Sequence, residues 1–490
     1  MEYTELADYP VPSGRITEWI PTVDIDRWNP DDRPLSPNHQ AHLEHSRRTE
    51  GHQDHIRAWI GTAFALPGPF EPATFAQTLR QWIARHDAFR TTARFAADDT
   101  ASRYSVDPDA VAIDIRSADE SATSAAAYRH LEKFFETEIS ALRWPHVVIA
   151  TVEPDTVIEA AQGTIVVVGA DHSVMDAYSQ LLLIAEIREI YDAVRTGRAA
   201  QLPPCSSFVD YCHSETAAAD SISADHPALA AWKSFWDEGT GELDMPRFPL
   251  TTQPSDPAAT AIDVPHQSSL SLWLLSDEET AAFNAACKQH GRSLSTGAFT
   301  ALATALHRLT GSRTTRFVMP MHTRTTPESF AAAGWYVGLV PVEMTLGTAT
   351  TFSDALASID EGVRRNTALT HVPYPPLAEL AGVATPPRFA VSFVDARHLP
   401  GAATWGANDR ALRSRTLNHD EVYLWVNRTS EGINISLRFP SNEIAAASLH
   451  ALVSEFGNVM REVATHGDLA LVTSGLRAGD AHAGDAVEPR

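Results

Sequence analysis

Cysteine is scarce in this chain: Cys205, Cys212 and Cys287 are the only three in 490 residues. That is too few for a disulfide framework, and none has the CxxC spacing of a metal knuckle, as expected of a chain from a reducing compartment. Basic residues are also few, 38 Lys plus Arg against 62 Asp plus Glu, and the resulting net charge of −24 repels nucleic acid and anionic lipid surfaces. No uninterrupted apolar run is long enough to span a bilayer. The opening residues, MEYTELADYPVP, are acidic and lack the apolar stretch of a secretory signal. A cytoplasmic protein with no membrane span and no nucleic-acid partner is therefore expected. A GxSxG sequence is missing as well, which leaves an acyl-serine enzyme unsupported, and no short-period repeat is visible.

What is present is length and enough apolar content to fill more than one core. At 490 residues and 44% hydrophobic, the chain exceeds the size at which a single core keeps growing, so two comparable lobes are predicted. Phe75, Leu79 and Ile83 recur every four residues and predict a helix over Glu71 to Ile83 packed on a sheet. A helix is predicted over 123–140, strands over 146–152 and 164–168, and a broadly buried helix after Ser179 that ends near Gly197. Residues 215–267 are rich in Ala, Asp, Ser, Thr and Pro, with a helical island around Trp232 and Trp236, and read as a connector. A second mixed pattern follows. It has strands near 270–275, 316–320, 339–344, 389–394, 421–426 and 433–439. Its helices begin at Ser276, where Glu279 completes a capping box, and cover 295–310, 353–367 and 442–465. The division expected is a first lobe over 1–214, a connector over 215–267, a second lobe over 268–474 and a disordered tail over 475–490.

The segment that carries chemistry is Gly169-Ala-Asp-His-Ser-Val-Met-Asp-Ala-Tyr-Ser179. It places His172 and Asp176 at the turn between a buried strand and a helix. An imidazole held there has a near-neutral pKa suited to accepting and returning a proton. Spacing alone does not separate that role from a satisfied histidine at a strand end. The basic run RHDAFRT, Arg85 to Thr91, joins a helix to a strand. It reads as a corner tied by arginine hydrogen bonds rather than a phosphate site.

Together these segments resemble the condensation-domain superfamily of thioester-dependent acyltransferases, which includes free-standing polyketide-associated enzymes. Asp171 to Ala177 is similar to the HHxxxDG motif and RHDAFRT to RHxxLRT. Gly334 to Pro341, GWYVGLVP, resembles GxFVNxxP, with Arg324 where those proteins carry an arginine just upstream. Phe208 to Tyr211 resembles YxDY, and HVPYP, His371 to Pro375, resembles HxxYPF. Asp171 stands where a first histidine is common, and Ala177 replaces a glycine whose loss matters only if that position needs positive φ.

The resemblance implies an α/β (α+β) fold of two chloramphenicol-acetyltransferase-like lobes forming a V-shaped pseudo-dimer, with the site between them and substrates entering from opposite faces. It implies His172 as the catalytic base and Asp176 as structural support paired with Arg324. Ala177 and Tyr178, at a helix start, are candidates for oxyanion contacts through their main-chain N–H groups. Trp335 is a candidate substrate contact. No metal and no permanently bound cofactor are implied. The donor would be a pantetheine thioester, acyl-CoA or an acyl or peptidyl carrier protein, and the acceptor a hydroxyl or amine of a small molecule. The product would be an ester or amide of secondary metabolism or glycolipid assembly, made by a monomeric enzyme without an acyl-enzyme. Arg47 with Arg48, or Arg364 with Arg365, could offer a basic surface to an acidic carrier. The rival reading is a catalytically silent condensation-like domain that docks a partner, but such a module has no chemical need for His172 and Asp176.

Overall fold

The computed structural model describes residues 2–50, 58–118, 121–156, 163–237, 239, 241–253, 267–416 and 420–471. The tail expected over 475–490 lies outside them. In the first lobe the strands are β1 (Glu2–Glu5), β2 (Gly14–Thr22), β3 (Asn29–Asp31), β4 (Ile60–Leu66), β5 (Thr91–Phe95), β6 (Ala101–Ser105), β7 (Ala112–Ser117), β8 (Val147–Pro154) and β9 (Thr164–Ala170). Interleaved with them are helices α1 (Pro37–Thr49), α2 (Pro72–Arg85), α3 (Ser124–Glu138) and α4 (Ala177–Thr196). Next come α5 (Phe208–Asp220) and α6 (Pro227–Trp236), and α6 contains the tryptophan island read from the sequence.

The second lobe contains β10 (Ser268–Ser276), α7 (Asp277–Gln289), α8 (Leu294–Thr310), β11 (Thr314–His322), α9 (Pro327–Phe330), β12 (Val337–Thr345), α10 (Phe352–Arg364), α11 (Tyr374–Ala381) and β13 (Phe389–Asp395). After β13 the chain forms β14 (Arg410–Arg413), which belongs to the first lobe's sheet, and then β15 (Val422–Thr429), β16 (Gly432–Phe439) and α12 (Glu443–His466) of the second lobe. A large sheet of seven strands runs β1-β14-β4-β9-β8-β2-β7, and one of six runs β10-β16-β15-β13-β11-β12.

β9 shows why the first sheet forms. All seven of its residues are buried, because a strand covered on both faces must be apolar throughout rather than alternating. Its alternate side chains go to opposite layers. Val166 and Val168 join the core built on α2 and α4, whereas Ile165 and Val167 join the one built on α3. The predicted stripe Phe75, Leu79 and Ile83 is fully buried in α2. α3 approaches the strand so closely that a Cβ at Gly169 would sit 2.7 Å from the Phe135 ring. The second sheet is covered by α7, α8, α10 and α12 around Phe283, Phe317, Leu356 and Phe456. α7 starts with the expected capping box, Ser276 accepting from Glu279 N and Glu279 accepting from Ser276 N.

The lobes exchange chain. After β13 the backbone crosses to the first lobe, where β14 pairs antiparallel with β4 and parallel with β1 before the chain returns to β15 in the second sheet. Two side chains of α4 hold the crossover. Gln180 donates from Nε2 to Gly61 O at 2.6 Å and Leu412 O at 2.7 Å, and Arg188 donates to Ala65 O and, at 2.7 Å, to the buried carboxylate of Asp409. Asp409→Ala should therefore loosen the β4–β14 edge and cost about 1–3 kcal/mol, the scale for stripping a buried group of its partner. A lowered denaturation midpoint with faster amide exchange at 410–413 checks it.

Candidate active site

The turn from β9 into α4 is held from both sides. Asp171 donates its N–H to His146 O at 2.8 Å, and its Oδ1 accepts the Ser173 N–H at 2.9 Å, so the first residue after the strand ties its own turn. Both of its carboxylate oxygens also lie 3.1 Å from Nε2 of His42, on α1. An aspartate at this position therefore has a partner, supplied from a distant helix. His172 follows at the seam between the lobes, its ring packed on the indole of Trp335 with centroids 4.4 Å apart. The same indole meets His42 edge-on at 5.7 Å. Nδ1 of His172 is buried and makes no well-formed hydrogen bond. Burial lowers the pKa of this imidazole, its own carbonyl opposes that, His42 lowers it further, and Asp176 and Asp171 pull it back up. The net direction is down.

Asp176 caps α4, with Oδ1 accepting both the N–H and the hydroxyl of Ser179 at 2.8 and 2.7 Å. The same carboxylate takes a fork from Arg324 of the second lobe, 2.6 Å from Nη1 to Oδ2 and 3.1 Å from Nη2 to Oδ1. The remaining guanidinium donors reach Ser329 O, Ala332 O and Ser179 Oγ, and the plate lies between the rings of Tyr178 and Tyr336. The two side chains are 1% and 0% exposed, so the charges have left water and need every one of these contacts. Burial raises the Asp176 pKa, but Arg324 and Ser179 outweigh it and the carboxyl sits below its ordinary value.

Residues 331–336 thread this seam. Arg85 donates to Ala331 O, Ala333 donates its N–H to His86 Nδ1, Gly334 donates its N–H to Ser179 Oγ, and Tyr336 donates its N–H to Asp176 Oδ2. A Cβ on Gly334 would stand 2.4 Å from the Phe208 ring, so glycine is required there.

The RHDAFRT corner is the other wall of this slot. Nε2 of His86 lies 2.7 Å from Glu186, which also accepts from Arg85 at 2.8 Å and from Trp82. Since Nδ1 accepts from Ala333, Nε2 carries the proton and donates it to Glu186. His42, Ser179 and Glu186 were not picked out in the sequence. Ser179 had a signal as the third residue after a capping aspartate, whereas Glu186 is one acid in an apolar helix and His42 lies about 130 residues from its partner Asp171. Among the described residues no group of three or more His, Cys, Asp or Glu side chains could hold a metal ion.

A family model described as "Condensation domain" matches residues 49–474. The chain belongs to the condensation-domain family. This condensation-domain chain is 29% identical over 311 residues to acyltransferase PapA3 of Mycobacterium tuberculosis (strain CDC 1551 / Oshkosh), covering 61% of this chain and 63% of that relative, which is less than two thirds of its length. It is 26% identical over 490 residues to trehalose-2-sulfate acyltransferase PapA2 of Mycobacterium bovis (strain BCG / Pasteur 1173P2), covering 96% and 99% of the two chains. A solved structure titled "PapA2 acyl transferase" superposes with a TM-score of 0.82 at 24% identity, covering 95% of this chain and 100% of that one. The condensation domain of Monacolin K polyketide synthase MokA superposes with a TM-score of 0.69 at 17% identity, covering 90% and 99%. The architecture is accordingly two chloramphenicol-acetyltransferase-like lobes in a V.

The remaining residues of the condensation-domain motifs are placed as follows. Ala177 and Tyr178 are the first two residues of α4, where main-chain N–H groups have no intrahelical acceptor. Ala177 is not in the positive-φ region, so glycine is not needed there. Phe208 and Tyr211 pack on Tyr336, and the Tyr211 hydroxyl lies 2.6 Å from Thr323 Oγ1. Tyr374 of HVPYP packs on Trp232. Arg47 is paired with Asp99 and Arg365 with Glu361, both exposed. Among the described residues no helix is long and apolar enough to cross a membrane.

Asp176→Asn should damage stability at least as much as chemistry, since it leaves Arg324 buried against a neutral amide at a cost of about 3–5 kcal/mol. Because the folded pKa is depressed, the pair's contribution is present above the ordinary carboxylate range and is lost as pH falls through the lowered value. Melts of wild type and variant between neutral and acidic pH should therefore converge at the acid end.

Proposed function

We propose that the protein is an acyltransferase that moves an acyl group from a pantetheine thioester, acyl-CoA or an acyl carrier protein, directly to a hydroxyl or amine. The observation that carries this reading is the position of His172. It stands at the lobe seam on a turn locked through Asp176 and Arg324, beside the open first turn of α4.

The chemistry follows from that placement. Nδ1 of His172 is buried, so Nε2 is the nitrogen that meets the acceptor. It takes the acceptor's proton as the oxygen or nitrogen attacks the thioester carbonyl, and the carbonyl electrons move onto its oxygen. The main-chain N–H groups of Ala177 and Tyr178 receive that charge at the positive end of the helix. Collapse breaks the C–S bond, and the imidazolium returns the proton to the departing thiolate. No acyl-enzyme is needed. A pKa held down by burial keeps Nε2 unprotonated at neutral pH, the state a base requires. Asp176, wholly engaged by Arg324 and Ser179, holds the turn instead of moving protons.

The names of PapA3 and PapA2 support acyl transfer, and that of PapA2 supports a sugar hydroxyl as acceptor. Ester formation in glycolipid assembly is therefore favoured over amide formation. Donor and acceptor reach His172 from opposite faces of the seam. Trp335, packed on the reacting imidazole, borders that path.

The test is release of free thiol from a panel of acyl-CoA and acyl-carrier thioesters, with and without sugar and amine acceptors. His172→Ala should lose about 10²- to 10⁴-fold in kcat/KM while melting like wild type. In the wild type, kcat/KM should fall with acid only below the ordinary histidine midpoint of about 6.5. Turnover of the variant near the wild-type rate would remove His172 as the base.

A further inference from the structure

The position that most condensation domains fill with a first histidine holds Asp171 here, and its carboxylate is answered by an imidazole from α1. We propose that His42 is a positioning residue for acyl transfer: with Asp171 it forms an imidazole–carboxylate dyad that fixes the turn presenting His172 and seats Trp335 against the reacting ring. The proposal rests on the reading of His172 as the base.

Three geometric facts carry it. His42 Nε2 stands 3.1 Å from both oxygens of Asp171, while Oδ1 also holds the Ser173 N–H, so the dyad grips the residues on either side of His172. One indole, Trp335, touches both rings, His172 at 4.4 Å and His42 at 5.7 Å between centroids. α1 is itself anchored to the second lobe, Asn38 donating to Val337 O at 2.9 Å. Asn38 and His42 are four residues apart, on one face of the helix. The helix thus spans the seam and delivers an imidazole to it.

The charges around the dyad agree. Burial lowers the His42 pKa but Asp171 more than restores it, so His42 is held protonated more readily than an ordinary histidine. Asp171 is in turn pushed up by burial and pulled further down by His42, His146 and Ser173. His172 shares the Trp335 indole with His42, whose positive charge when protonated lowers the His172 pKa, with Asp176 and Asp171 as the opposing charges, and the charge of Arg324 is spent on Asp176. Within α1 itself His39 is buried and its pKa is pushed well down by burial and by Arg103 of β6, so it adds no charge. Removing the titrating His42 imidazole should therefore let the His172 pKa rise.

The experiment uses the whole chain with selectively ¹³C-labelled histidine, the His172 signal being assigned by its loss in His172→Ala. In His42→Gln, which keeps a donor toward Asp171 but no charge, the His172 midpoint should rise. The acid limb of kcat/KM should move upward with it, and kcat should drop about 10-fold, within the range for a displaced catalytic group, while KM stays within about 2-fold. In Asp171→Asn the His42 midpoint should fall. A His42→Gln enzyme that melts like wild type, with the His172 midpoint and the acid limb both unmoved, overturns the proposal. So does an Asp171→Asn protein in which His42 titrates as before, and that measurement serves even if His42→Gln does not fold. Full turnover of His172→Ala would instead remove the base reading, and the His172 midpoint, which needs no turnover, would still decide the dyad.

Discussion

The fork between Asp176 and Arg324 is the constraint from which the geometry of the seam follows. A carboxylate and a guanidinium removed from water are each costly, and their attraction repays that cost only when the remaining lone pairs and donors are also engaged. Here they are: the helix start, Ser179, two carbonyls and two aromatic faces use every available direction. Because one partner belongs to each lobe, the lobes have a preferred register and not merely a sticky contact. The residue that would do the chemistry is four positions from the anchor, so any slip of one lobe along the other would be felt at His172.

Around that anchor the chain uses main-chain groups wherever precision matters. The 331–336 segment enters the first lobe with carbonyls and amides of successive residues bonded to Arg85, Arg324, His86, Ser179 and Asp176. Main-chain atoms cannot change rotamer, and the side chains they meet are themselves tied down, as His86 is by Glu186. Trp335 is the one large side chain of this run that is turned toward the imidazoles, and its position is inherited from neighbours that cannot move.

The local part of this structure was legible in the sequence. The apolar stripe of α2, the capping box of α7, the strand–turn–helix around His172 and the sheet-and-helix content of both halves all follow from periodicity and cap chemistry within a dozen residues. The partnership of Asp176 with Arg324 came through a family pattern, since nothing in residue spacing joins positions 148 apart. What stayed hidden has a common cause. α1 is polar enough along its length to read as loop, with only Pro37, His39 and Leu43 buried, so the helix that brings His42 to Asp171 carries no clear stripe. β14 is four residues long, and its apolar pair Ala411 and Leu412 is indistinguishable from ordinary loop sequence. Contacts made across hundreds of residues by short or polar elements leave no local trace.

The crossover strand also bears on how the chain is made. β4 hydrogen-bonds on one side to β9, synthesised about 100 residues after it, but on the other side to β14, synthesised roughly 240 residues later still. At ordinary elongation rates of about 5–20 residues per second, the interval between β9 and β14 is roughly 12 to 48 s. During it the first sheet presents an open edge, the kind of surface that captures other strands. A nascent chain of this protein would be at greatest risk of mispairing in that window, when the first lobe is already translated and the strand that closes its edge has yet to exist.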